Sequence, residues 1–253
     1  MDCAGRGFLR RCDVIRFVTE TGSTNSDLAA QVRAGEVVAE GHWLVADRQV
    51  AGRGRQGRSW FDGSGNFMGS TAVRILPRDP APATLALVAG VAAYEAVSPV
   101  LAEPGKLRLK WPNDLMLGDA KLAGILLERE GDRIIVGMGV NLAAAPDLPD
   151  RKTVALAELG PAPDRDMFAR TLAEAFDREL ERWRTYGLEP LTRRWASVAH
   201  PPGTRLTVQP PGEERIEGAF AGLTPDGALS LRLADGSTRA IHAGDVMLAN
   251  EES

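Results

Sequence analysis

Apolar and polar positions change period several times along the chain, and each change marks an element. The run 14-VIRFV-18 predicts a strand. In 22-GSTNSD-27 a Ser/Thr is followed three residues on by Asp, the mark of a helix start, and Leu28, Ala29 and Val32 then share one helical face. Short apolar runs at 43-WLVA-46, 67-FMGSTAVRIL-76, 107-LRLK-110, 122-LAGILLE-128 and 134-IIVGMGVN-141 predict further strands. Between residues 166 and 184, Phe168, Leu172, Phe176, Leu180 and Trp183 fall at helical spacing and describe a long amphipathic helix, an ordinary core stripe. The run 85-LALVAGVAAY-94 reads as a buried, Ala-rich helix, too short to span a bilayer and stopped at Glu95.

Composition shifts at 199-AHPPGT-204, where a boundary is expected. Beyond it, 205-RLTV-208, 216-IEGAFAGL-223 and 228-ALSLRL-233 are short strands with turns at Asp226-Gly227 and Asp235-Gly236, which predicts a small β-barrel. The order of elements gives a mixed α/β (α+β) chain, with one domain over 1–200 and a second over 201–253.

Length and charge narrow the class. The 253 residues are 44% hydrophobic, enough for a sizeable core, and the net charge of −4 does not suggest a nucleic-acid binder. Cys3 and Cys12 are the two cysteines, so neither a disulfide framework nor a cysteine metal site is expected. His42, His200 and His242 stand apart from one another and read as structural. The basic N-terminus is not followed by an apolar segment, so secretion is not expected and the cytoplasm is.

Three stretches carry candidate chemistry. In 51-AGRGRQGRSW-60, Gly52, Gly54 and Gly57 spell G-x-G-x-x-G, yet 61-FDGSGN-66 is a run of turn formers where a dinucleotide fold needs a helix, so that reading is set aside. Arg53, Arg55 and Arg58 carry planar charged forks suited to phosphate or carboxylate, and Trp60 beside them offers a face for a purine. Glycine entropy and arginine repulsion predict a loop that orders around an anion. In 110-KWPNDLML-117, Lys110, Asn113 and Asp114 interrupt apolar surroundings at a strand end; a Pro-Asn-Asp turn capping itself gives the same pattern. In 121-KLAGILLE-128, Lys121 and Gly124 fit either a snorkelling lysine with a bulge or a cation beside a ligand that approaches the backbone. Gly137, Gly139 and Asn141 alternate along one strand face and leave room there for something flat.

Taken in order, GSTN, Q-x-A-G-R-G-R-x-G-R-x-W, K-W-P-N-D-L, K-L-A-G-I-L-x-E and G-x-G-x-N resemble the motifs of bacterial biotin protein ligases, from about residue 14 to the C-terminus. The resemblance implies a catalytic domain similar to class II aminoacyl-tRNA synthetases followed by an SH3-like barrel. It implies activation of biotin with ATP and Mg²⁺ to biotinyl-5′-AMP, then transfer to a lysine of a biotin carboxyl carrier protein domain of acetyl-CoA carboxylase or a related carboxylase. By the same resemblance Ser23, Thr24, Asn25 and Gln49 bind the ureido ring, and Gly52, Arg53, Gly54 and Arg55 close over the biotin carboxylate and the adenylate. Arg58 meets the phosphates, Trp60 and Asn141 the adenine, and Asn113 and Asp114 the nucleotide, with Asp114 on the metal side. Gly124 lets the backbone approach biotin, while Lys121, with Arg55 and Asp114, serves the chemistry.

The sequence departs from the pattern at Gln56, where a basic residue is common, and in 244-GDVMLANEES-253, which lacks a late Arg or Lys and leaves a role for the small domain in ATP binding open. The short segment before the first strand leads us to expect the monofunctional type, without an N-terminal DNA-binding domain. A monomer or homodimer that engages neither DNA nor membrane is expected. Two rivals share parts of this reading: a lipoate-protein ligase and a non-catalytic biotin or nucleotide sensor.

Overall fold

The computed structural model describes residues 15–248; Cys3, Cys12, Val14 and the residues after Leu248 lie outside them. A seven-stranded sheet holds β1 (Ile15–Thr21), β2 (Trp43–Gln49), β3 (Phe67–Arg74), β4 (Leu107–Lys110), β5 (Asp114–Leu117), β6 (Ala120–Glu130) and β7 (Arg133–Val140) in the order β1-β2-β3-β7-β6-β5-β4. Only β1 and β2 run parallel; the remaining pairs are antiparallel. Helices α1 (Thr24–Arg33), α2 (Leu85–Val97), α3 (Arg165–Tyr186) and α4 (Leu188–Ser197) pack on it, and β8 (Arg205–Gln209), β9 (Ile216–Leu223), β10 (Leu229–Arg232), β11 (Thr238–Ile241) and β12 (Asp245–Leu248) form a second, antiparallel sheet in the order β11-β10-β9-β8-β12.

Strand parity sorts the central sheet into two faces, because successive side chains point to opposite sides. Trp43, Val45, Phe67, Val73, Ile134 and Val136 join the large core under α2 and α3, whereas Leu44, Ala72 and Ile135 pack with Leu28 of α1 on the other side. The second face is only partly covered by α1. Its uncovered part is lined by Ser70, Gly137 and Gly139, in step with Ala72 and Ile135 along the same two strands, and becomes the floor of the site.

The long helix expected over 166–184 is α3, with Asp164 as N-cap accepting from the Met167 amide at 2.8 Å. Its five stripe residues are all buried. The apolar run at 85–94 is longer than the sequence reading allowed. Flanking turns extend it to Pro82–Val100, 19 residues apolar enough to cross a membrane by length and composition. Here its apolar faces are spent on the core, against α3, α4 and the sheet. The helix start expected at 22-GSTNSD-27 is that of α1, with Ser23 at the N-cap; the Ser23 side chain makes no capping bond, and Asp27 accepts from the Thr21 hydroxyl instead.

The two sheets share one continuous apolar cluster. Trp195 of α4 meets Phe220 of β9 with ring centroids 6.4 Å apart, and Leu206, Val208, Leu229, Leu231 and Val246 join the same cluster as the main core. Helix α4, which makes this junction, was not expected from the sequence, nor were β5, β11 and β12.

Candidate active site

The sequence-predicted residues converge on one cavity of about 880 Å³. All of them line it except Gly52, which lies buried behind the wall, where a Cβ would press within 3.3 Å of the Gln49 amide nitrogen and 3.2 Å of the Trp60 carbonyl.

One end of the cavity is a chain of polar side chains in an otherwise apolar wall. Gln49 Oε1 accepts from the Thr24 amide at 2.7 Å, Thr24 Oγ1 lies 2.6 Å from Ser70 Oγ, Ser70 Oγ donates to Asn25 Oδ1 at 2.6 Å, and Asn25 Nδ2 donates to Glu128 at 2.7 Å. Thr24, Asn25, Gln49 and Ser70 are all buried. Ser70 and Glu128 were absent from the predicted site. Their signal was parity: Ser70 opposes Gly137 across β3 and β7, and Glu128 opposes Ile135 across β6 and β7, so both belong to the face that carries the site.

The glycines of β7 do make room for flat groups, but the groups are the protein's own. A Cβ on Gly139 would overlap the Trp60 indole, and one on Gly137 would overlap the Asn25 amide. Trp60 thus lies on the glycine face of the sheet; a Cβ on Gly124 would come within 2.9 Å of its ring.

At the other end stands an ion pair, Lys121 Nζ to Asp114 Oδ1 at 2.6 Å, with both side chains less than a fifth exposed. Lys121 and Gly124 are three residues apart and would face opposite ways in a regular strand. A register shift between β5 and β6, where Leu115 and Met116 pair with Ala123 and Lys121, puts both on the cavity side. The ammonium also sits 5.9 Å from the Trp60 ring centroid. Burial alone would push the Asp114 carboxyl up, but Lys121, Lys110 and Arg151 outweigh it and hold it below the usual carboxylate range. Because the folded value is depressed, the pair's contribution is fully present above the ordinary Asp pKa of about 3.9 and disappears as pH falls through the lower folded value. The melting temperatures of the wild type and Asp114→Asn should therefore differ most near neutrality and converge below about pH 4. A gap that stays constant on acidification would contradict the assignment.

The basic loop is not the self-repelling segment that its sequence describes. Gly54 N donates to Arg58 O at 2.7 Å and Trp60 N to Gly52 O at 2.9 Å, closing a short turn over Arg55–Gly57. Arg55 donates to Asn113 Oδ1 at 3.1 Å and to the Gly244 carbonyl at 3.2 Å, and Arg58 pairs with Asp245. The charge that offsets the repulsion comes from β12, almost two hundred residues away in the chain, so nothing local could announce it. Gln209, Arg215, Asp245, Val246 and Met247 also line the cavity, which brings the second sheet into its wall. Asn113 is committed on both sides of its amide, to Arg55 and, through Nδ2 at 2.7 Å, to the Ile125 carbonyl. Asn141 donates to the Val154 carbonyl at 3.2 Å while its buried Oδ1 has no partner among the described residues.

The sheet face thus carries a hydrogen-bonding pocket at one end and a cation-rich pocket at the other. Residues 20–142 match the Biotin/lipoate A/B protein ligase family and residues 205–248 the Biotin protein ligase C terminal domain. The chain is 35% identical over 248 residues to a biotin--[acetyl-CoA-carboxylase] ligase of Mycobacterium tuberculosis, covering 96% of this chain and 91% of that protein. It is 36% identical to a ligase of the same name from Paracoccus denitrificans, over 85% of this chain and 93% of that one. Its fold matches the biotin protein ligase of Aquifex aeolicus in complex with biotin and ATP, at a TM-score of 0.82 and 26% identity, covering 93% of this chain and 99% of that one. The chain belongs to the biotin protein ligase family.

Proposed function

We infer that this chain activates biotin with ATP and transfers it to a biotin carboxyl carrier protein domain of acetyl-CoA carboxylase or a related carboxylase. One observation carries the reading: a single cavity joins the Gln49–Thr24–Ser70–Asn25 wall to the Lys121–Asp114 pair and the arginine loop. A ureido ring needs donors and acceptors together, and that wall supplies both. A valerate carboxylate and a polyphosphate need fixed positive charge, supplied by Lys121, Arg53, Arg55 and Arg58.

In the first step a biotin carboxylate oxygen attacks the α-phosphorus, the bond to the leaving pyrophosphate breaks, and a carbon–oxygen–phosphorus anhydride forms. In the second, the carrier's lysine amine adds to the acyl carbon, AMP leaves, and the amine proton passes to solvent. Lys121 lies where it can offset the charge of both anions, with Asp114 holding its ammonium in place. Trp60 offers its ring to adenine, and the unpartnered Asn141 Oδ1 is placed to accept from an adenine amino group. Ser23, Gly54 and Gly124 complete the wall along the biotin chain.

Among the described residues no group of three His, Cys, Asp or Glu side chains could cage a metal, and the cavity acids Asp114, Asp150 and Asp245 each pair with a cation. That donor set fits Mg²⁺ entering on the phosphates of ATP and taking at most one carboxylate, Asp114, which is how this ion is commonly held. We assign residues 1–200 to the catalytic unit and 201–253 to a small barrel that closes the nucleotide side. The reaction calls for neither DNA nor membrane, and a monomer or homodimer in the cytoplasm would serve it.

Incubation with ATP, Mg²⁺ and an acceptor domain, with biotin or lipoate in turn, tests the reading by intact mass. Biotinyl transfer is expected; lipoyl transfer without biotinyl transfer would overturn it.

A further inference from the structure

We propose that Glu128 is a positioning residue for biotin: its carboxylate fixes the direction of every proton along the Asn25–Ser70–Thr24 chain and thereby the pattern of donors and acceptors shown to the ureido ring. The proposal rests on the biotin reading above.

Each proton along the chain can be assigned in turn. An ionised carboxylate only accepts, so the Asn25 amide must turn its Nδ2 toward Glu128, where the two lie 2.7 Å apart. That leaves Asn25 Oδ1 facing Ser70, and an amide oxygen also only accepts, so the single Ser70 hydroxyl proton is committed to it at 2.6 Å. Between Thr24 Oγ1 and Ser70 Oγ, 2.6 Å apart, either atom could donate on geometry alone. With the Ser70 proton already used, Thr24 must be the donor.

The Thr24 hydroxyl cannot then also donate to Gln49 Oε1, 3.1 Å away, and that oxygen is held instead by the Thr24 backbone amide at 2.7 Å. The chain is now fully ordered. Thr24 Oγ1 keeps lone pairs for an N–H of the ligand, and Asn25 keeps its second Nδ2 proton for a carbonyl. These are the two complements of a ureido group.

Reversing one amide reverses the rest. With Asn25 flipped, its Nδ2 donates to Ser70, the Ser70 proton is released toward Thr24, and the Thr24 proton points away from Ser70, so acceptors become donors. Register makes Glu128 the residue able to prevent this. Gly124, Leu126 and Glu128 oppose Gly139, Gly137 and Ile135, so Glu128 lies on the cavity face of β6, beyond the wall that the ligand touches. It is not in the lining of the cavity itself, so it acts through Asn25.

The test compares wild type, Glu128→Ala and Glu128→Gln in the full chain, by biotin-dependent pyrophosphate release and by melting temperature. Glu128→Ala should raise the biotin KM about 10- to 100-fold, the range for losing a hydrogen bond to a charged group. The turnover at saturating biotin should stay within about threefold, because ordered protons act on binding and not on the reacting atoms. ATP KM should be unchanged. Glu128→Gln keeps an acceptor for Asn25 but adds a donor, so both directions of the proton chain become possible and only part of the loss should be recovered.

An unchanged biotin KM in Glu128→Ala would overturn the inference. So would a loss spread equally over turnover, ATP KM and melting temperature, or a Glu128→Gln variant with the biotin KM of the wild type. Wild-type protein that releases no pyrophosphate in response to biotin would overturn the functional reading itself, and the inference with it. Wild type that works, matched by Glu128→Ala, overturns the inference alone.

Discussion

Lys121→Ala loses on the order of 10²–10³ in the rate of adenylate formation, the usual effect of removing one preorganised charge donor. Attack of a carboxylate on a polyphosphate brings two anions together. A fixed ammonium beside both lowers the barrier most where that charge is concentrated, in the transition state. The 2.6 Å bond to Asp114 supplies the fixing. It also modifies the expectation for stability: removal of the lysine strips a largely buried carboxylate of its nearest cation, which is destabilising. Lys110 and Arg151 also act on Asp114 and limit the damage, so the melting temperature should fall modestly and the fold persist. Lys121→Arg should rescue poorly, since a broad planar fork does not replace a compact point charge between Asp114 and Trp60. Near-wild-type pyrophosphate release by Lys121→Ala would remove Lys121 from the mechanism.

Gly139→Ala should weaken the binding of ATP. The new methyl group would occupy space held by the Trp60 indole, in the middle of a paired strand where the backbone has little freedom to retreat. Overpacking of this kind commonly costs about 1–3 kcal/mol, and the indole is the part able to move. Displacing it removes the proposed adenine platform, so ATP KM should rise about 10- to 100-fold while biotin binding in the absence of ATP changes little. The double variant Gly139→Ala with Trp60→Ala separates strain from function: melting temperature should recover and ATP KM should not. An unchanged ATP KM in the single variant would contradict the placement of Trp60.

Much of this site was legible because the chemistry is concentrated in short stretches. The arginine loop, K-W-P-N-D and Lys121 with Gly124 could be read as polar interruptions of apolar strands, and the structure brings them to one cavity. The helical stripe of α3 was equally plain, with five large apolar residues at one spacing. Helix α4 was not, since only Leu191 and Trp195 are buried in it and Pro190 stands near its start. Strands β5, β11 and β12 have four residues each, too few to show a period.

The partners that complete the site were hidden for a different reason. Asp245 meets Arg58 from the far end of the chain, and Ser70 and Glu128 meet Asn25 through strand register. Ser23 and Thr24 read as a helix start, and α1 does begin there, but a cap and a ligand-facing turn use the same residue types. Tertiary structure decided between them by giving the Thr24 hydroxyl the neighbours Gln49 and Ser70.

One cavity couples biotin to the cleavage of ATP. Pyrophosphate release from ATP and Mg²⁺, measured with and without biotin in the absence of any acceptor protein, tests it most directly. Release should require biotin and be accompanied by a bound species of the mass of biotinyl-5′-AMP. Tight biotin binding without any biotin-dependent pyrophosphate would contradict it and leave a binding protein in place of a ligase.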